Sequence, residues 1–169
     1  MMLFAFIVCL LNFVSTSIGH PVNDISSRSI GDVKIVNTLT SPVYVWSVGD
    51  SEGPMSTIPA NGGTYEEIFR VNPKGGDISI KVSTTPDLKV NNVMQFQYNQ
   101  TGDKVVWDVS CESLKLPSPF TNHGFSVQSS SNDCPSIKCA PGNERCPDVY
   151  PWLKATHACP LTTSFTFNL

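Results

Sequence analysis

The chain is short of charge and has no block of it. Its 169 residues carry 11 Lys or Arg against 14 Asp or Glu, a net of −3. Without a basic patch, nucleic acid and anionic membranes are poor partners. After residue 14 no second long apolar run follows, and residues 3–14 (LFAFIVCLLNFV) fall short of the roughly 20 needed to cross a bilayer. No dibasic site follows that run, no G-x-S-x-G elbow occurs, and neither Gly62-Gly63 nor Gly75-Gly76 leads into Lys-Ser/Thr and a helix. His20, His123 and His157 have no metal-ligand spacing. Ser126, His123 and an acid form no recognisable nucleophile arrangement, because His123 precedes a strand as a loop residue. Metal and cofactor chemistry are therefore not expected, and neither is a membrane anchor.

What is present points to export. Residues 3–14 followed by the small residues Ser15, Ser17 and Gly19 read as a signal peptide over 1–19, although no Lys or Arg precedes them. Residues 20–31 (HPVNDISSRSIG) lack an apolar period and read as a flexible lead-in, and 32–169 as one domain. Cys9 leaves with the signal. Cys111, Cys134, Cys139, Cys146 and Cys159 remain, in a compartment that favours disulfides. Five choices of odd cysteine with three pairings each leave 15 arrangements. Spacings of x4, x6 and x12 contain no C-x2-C knuckle, which argues against zinc. The odd cysteine is free or cross-links two chains; otherwise a monomer is expected. The one N-x-S/T sequon, at Asn99, is expected at a hairpin tip where a glycan is solvated.

Thirteen prolines punctuate the chain, but residues 87–116 have none. Within that stretch Met94, Phe96 and Tyr98 alternate with glutamines, and Val105, Trp107 and Val109 alternate with Val106, Asp108 and Ser110. Period-2 alternation on both sides of a turn reads as a β-hairpin with one buried face. A turn centred on Thr101-Gly102 sets Tyr98 opposite Val105, Phe96 opposite Trp107 and Gln95 opposite Asp108. Other strands are expected at residues 32–37, 42–48, 64–71, 77–83, 124–128 and 162–167. The pair Glu66-Glu67 breaks alternation and marks an edge or bulge. About eight short strands and no helix indicate an all-β sandwich or barrel of antiparallel strands, with a proline-rich, disulfide-held C-terminal loop region over 134–160. Trp46 and Trp107 are expected in the core. Trp152, beside Tyr150 in PDVYPW, is expected on the surface as a sugar-stacking or protein-contact site.

The order of these segments carries a resemblance. VKIVN, SPVYVWSV and GPMSTIPANGGTYEE look like a thaumatin-like opening, and DISIKVS, MQFQYN, VVWDVSC, PF, HGFSV and CPSIKC extend the match. Together they resemble the small fungal thaumatin-like secreted proteins of the Blastomyces yeast-phase-specific protein family, over about residues 31–169. The resemblance implies a secreted thaumatin-like β-sandwich, antigenic or phase-associated, with no settled activity. The family often ends in a cysteine where this chain ends in Asn168-Leu169, and often has one before Pro-Phe where this chain has Ser118. Either substitution accounts for an odd thiol. The expected pairing is Cys139–Cys146 with Cys134–Cys159, leaving Cys111 free.

Larger plant thaumatin-like proteins carry an acidic cleft built from E-F and D-F-Y-D-x-S-x-x-D-G stretches. Laid on MQFQY and VVWDVSCES, the Glu falls at Gln95, the first Asp at Val105, the second at Asp108 and the third at Ser113. One carboxylate of four survives. Glycoside hydrolysis needs two carboxyls, one held protonated, and Gln95 can neither donate a proton nor raise the pKa of Asp108 by repulsion. Asp103 and Glu112 are the nearest other acids in sequence, at a hairpin tip and a strand end. The expectation is a non-catalytic cell-wall, extracellular or host-facing binding protein, with Asp108, Gln95, Tyr150 and Trp152 as candidate ligand contacts. The alternatives are a β-glucan binder or degenerate β-1,3-glucan hydrolase using Asp108, and an inhibitor of a secreted hydrolase presenting the Cys139–Cys146 loop.

Overall fold

The structure, a computed structural model, describes residues 29–88, 92–153 and 156–169. The expected signal peptide and nearly all of the lead-in lie outside them. Among the described residues there are eleven strands and one short helix. The strands are β1 (Asp32–Asn37), β2 (Val43–Val48), β3 (Ser56–Ile58), β4 (Gly63–Ile68), β5 (Ile78–Ser83), β6 (Val93–Thr101), β7 (Lys104–Ser110), β8 (Phe125–Ser129), β9 (Ile137–Cys139), β10 (His157–Pro160) and β11 (Phe165–Asn168); α1 (Pro119–His123) lies between β7 and β8. One sheet runs β4-β1-β11-β8-β9 and the other β10-β7-β6-β5-β2-β3.

Alternation in each strand sends one set of side chains between the sheets. Val33, Ile35, Phe165, Phe167 and Val127 meet Ile80, Val82, Met94, Phe96, Tyr98, Val105, Trp107 and Val109, all at most 1% exposed. Trp107 is the hub of an aromatic cluster: Phe96 stacks on it at 5.5 Å and 13°, and Phe165 approaches at 4.6 Å from the opposite sheet. Each such pair adds about 1 kcal/mol beyond the burial of its area. Trp46 is also buried, at 5% exposure, but outside this main cluster.

Three expectations change in the fold. The strands are not all antiparallel, since β1 pairs with β11 in parallel, Val33 beside Phe165 and Ile35 beside Phe167. These strands come from opposite ends of the chain, so no hairpin dictates their direction. Ser118-Pro119 starts a helix rather than a coil: Ser118 Oγ accepts from the Thr121 amide and Thr121 Oγ1 from the Ser118 amide, with proline at the first turn, where its missing N–H costs nothing. Finally, β9 and β10 form inside the cysteine-bound region, where their proline neighbours hid short strands. β4 stands at the outer edge of its sheet, with Glu66 exposed.

The central hairpin is shifted by two residues from the expected register. Thr101 pairs with Lys104, so the turn is Gly102-Asp103, and Tyr98 faces Trp107 while Phe96 faces Val109. A turn on Thr101-Gly102 would force a β-branched residue toward positive φ. Moving one position places Gly102 at the first central position with φ +63°, as a type II′ hairpin requires. An even shift preserves both faces, so the core residues stay inside.

Candidate functional site

The outer face of β6 and β7, next to β5 in the sheet, forms the floor of a cleft of about 470 Å³. Ser79, Gln97 and Asp108 lie in one row across the three strands, and Lys81, Gln95 and Ser110 in the next. The wall comes from the segment after the second disulfide loop. Tyr150 bridges Ser110 in parallel, its amide donating to Val109 O at 2.9 Å and its carbonyl accepting from the Cys111 amide at 2.8 Å. Gln95, Gln97, Asp108, Ser110 and Glu112 line the floor, and Tyr150, Leu153 and Thr156 the side.

Asp108 therefore sits across from Gln97, not Gln95. Gln95 Oε1 accepts from Ser79 Oγ at 2.8 Å and makes a longer contact of 3.5 Å with Gln97 Nε2. No group among the described residues donates to Asp108 Oδ1, although that atom is buried. The register carries Gln95 to Ser79 rather than opposite Asp108. Burial raises the Asp108 pKa, and the charge of Asp77 raises it further. Asp77 is the site residue that sequence reading missed. It lines a small recess of about 20 Å³ with Gln97, Val106, Asp108 and Thr156. Its parity with Ser79 and Lys81 was visible, but its proximity to Asp108 depends on the register of three strands.

Other expected residues divide. Glu112 lines the cleft, where Tyr150 Oη makes a weak contact with its Oε1 at 3.5 Å. Trp152 is half-buried, packs against the core and does not line the cleft, so Tyr150 stands there without it. Three residues after the buried Val149, Trp152 lies against the core, where its ring is partly covered rather than fully solvated. Asp103 lies in a separate groove with Lys104 and Pro160. His123 and Ser126 share a recess, but His123 Nε2 is 3.0 Å from Thr38 Oγ1. His157 packs on the Trp107 ring at 4.9 Å; burial lowers its pKa, opposed by Asp148. Asn99 lies within β6 opposite Val106 rather than at the hairpin tip.

Two disulfides tie down the C-terminal region. Cys134 is joined to Cys159 and Cys139 to Cys146, and Trp107 Nε1 donates to Cys159 Sγ at 3.1 Å. Cys111 is free and buried, and burial pushes its thiol up to about 12, so it stays protonated and unreactive at neutral pH. Among the described residues no three His, Cys, Asp or Glu side chains gather to hold a metal, and no helix is long and apolar enough to cross a membrane.

Comparison with known proteins places this geometry in a family. The model of the Blastomyces yeast-phase-specific protein family matches residues 25–169. The secreted thaumatin-like protein calA of Emericella nidulans is 35% identical over 170 aligned residues, covering 99% of this chain and 98% of that one. An antigenic thaumatin-like protein of Arthroderma benhamiae is 34% identical over 148 residues, 86% of this chain and 73% of its own. Among solved structures, the protein elicitor MoHrip2 from Magnaporthe oryzae superposes with TM-score 0.67 at 26% identity, covering 82% of this chain and 98% of the elicitor. The thaumatin-like xylanase inhibitor TLXI shares the fold, with TM-score 0.53 at 10% identity over 80% and 97%.

Proposed function

Because the chain belongs to the Blastomyces yeast-phase-specific protein family and is a secreted thaumatin-like protein, we propose that it acts without catalysis as a cell-wall or host-facing binding protein. Its ligand would lie in the cleft over β6 and β7. The observation that carries this reading is the floor itself. Two carboxyls, Asp108 and Glu112, lie among uncharged hydrogen-bonding side chains, Gln95, Gln97, Ser110 and Thr156, beside the Tyr150 ring. Amides and hydroxyls around two carboxyl acceptors, with an aromatic wall, suit an uncharged ligand rich in hydroxyl donors, such as a wall polysaccharide. Retention on insoluble β-1,3-glucan tests this. The purified protein should be retained, and Asp108→Ala should lose at least about tenfold in affinity, the loss of one charged hydrogen bond. Retention unchanged in Asp108→Ala overturns the cleft as the site. If that retention then fails on reduction of the disulfides, the Cys139–Cys146 loop is implicated instead.

One observation favours a second reading, slow hydrolysis. Asp77 supplies the like charge that Gln95 cannot, and a carboxyl with a raised pKa beside another acid is the pattern of a glycosidase acid. Release of reducing sugar from laminarin, abolished in Asp108→Asn, would establish it over the non-catalytic reading.

A further inference from the structure

We propose that Asn99 carries an N-linked glycan at the rim of the cleft, and that this glycan screens the end of the cleft where Asp77 and Asp108 meet. Asn99-Gln100-Thr101 is the one sequon in a secreted chain, and its place in β6 gives it a direction. Phe96 and Tyr98 are buried between the sheets, so Gln95, Gln97 and Asn99 share the opposite face, the one that floors the cleft. The ladder with β5 stops at Ile78 and Tyr98, leaving Asn99 one residue beyond its last pair on that side. On the other side its partner is Val106, which lines the recess with Asp77, Gln97, Asp108 and Thr156. Gln97, only about 7 Å along the strand, belongs to both recess and cleft. No hydrogen bond among the described residues holds the Asn99 side chain, so its amide is available for attachment. Asn99 is half-buried within the ladder, so transfer precedes pairing of β6, on the exported chain.

The chemistry is that of the eukaryotic secretory pathway. The Asn99 amide nitrogen bonds to the anomeric carbon of a lipid-linked oligosaccharide. The lipid pyrophosphate departs with the electrons of the broken C–O bond, and one amide proton is lost to a transferase base. The first sugars then stand on the face beside the recess, next to Val106 and within reach of Asp108. The position follows from the strand register and the attachment from the sequon; a consequence for ligand affinity rests on the reading of the cleft as the binding site.

The experiment uses protein secreted from a fungal host. Peptide mass spectrometry should find a hexose-containing glycan on Asn99, absent in Thr101→Ala; an unmodified Asn99 overturns the proposal. Screening is read without any ligand by placing Thr156→Cys, on an exposed residue of both cleft and recess, in chains with and without Thr101→Ala. A polymer-linked maleimide should label the glycosylated form several-fold more slowly, while a small maleimide labels both alike. Gln97→Cys serves in the same way if Thr156→Cys fails to fold. Equal rates with the bulky reagent overturn the screening. Retention on insoluble β-1,3-glucan separates this result from the binding reading: retention that needs Asp108 but is equal in both glycoforms overturns the screening alone. A labelling difference with retention indifferent to Asp108 overturns the cleft reading and leaves the position of the glycan supported.

Discussion

Ionising Asp108 places a charge on a half-buried carboxyl beside a second carboxylate, with no donor among the described residues on its buried Oδ1. The sign of the effect on stability follows from its raised pKa. Below its unfolded value the proton is bound in both states, and the group costs nothing. As pH rises through the higher folded value, the unfolded chain has already released its proton while the fold resists doing so, and stability falls. Asp108→Asn keeps the shape and removes the charge. The expected result is a gain of under about 1 kcal/mol at pH 7, small because solvent still screens a half-exposed side chain, and no gain near pH 3. Denaturant titration at the two pH values measures it. A residue that weakens the fold at neutral pH is better explained by what it binds than by what it supports.

At the scale of elements, one carboxylate clasps the two sheets. Glu67 on β4 accepts from Tyr98 Oη on β6 at 2.6 Å and from Tyr65 Oη at 2.8 Å, and lies 3.6 Å from Arg70 Nε. Burial first, and the hydrogen bond to Glu67 second, raise the pKa of both tyrosines well above the ordinary phenol value. A raised folded pKa means that their contribution is fully present below about pH 10 and lost as pH climbs beyond it. Phenolate absorbance should therefore show two of the four tyrosines resisting ionisation until the fold opens. Glu67→Gln offers an amide N–H to one hydroxyl where an acceptor stood. It should cost about 2 kcal/mol and bring those two ionisations to lower pH. The pair Glu66-Glu67 was legible in the sequence as an irregularity at an edge, but the clasp was not. Its partner Tyr98 lies on another strand in the other sheet, and no local period reports that.

For the whole molecule, Gly31 joins segments that are far apart in the chain. Its amide donates to Leu161 O at 2.8 Å and its carbonyl accepts from the Phe69 amide at 3.1 Å, closing the end where β1 meets β11 and β4. A Cβ there would lie 2.0 Å from Thr163 O, a backbone atom that cannot rotate aside. Gly31→Ala is expected to destabilise by roughly 2 kcal/mol or more, and a thermal melt should fall by several degrees. An unchanged melting temperature would show that this end of the sandwich can shift to make room.

The sequence by itself determined which residues face inward. Period-2 alternation over DVKIVN, VYVWSV, ISIKVS and both arms of the central hairpin survives any even shift of register, so Val33, Ile80, Phe96 and Trp107 had to be core. It also carried the family through the order of its segments, and the reduction of the acidic pattern to Asp108. Tertiary structure alone decided which strands meet. The parallel pairing of β1 with β11, the move of Asp108 from Gln95 to Gln97, the approach of Asp77, the packing of a half-buried Trp152 against the core and the choice among the cysteine pairings all depend on contacts between residues distant in sequence. Such contacts are selected by packing two whole sheets against each other, a condition that no local window of residues contains.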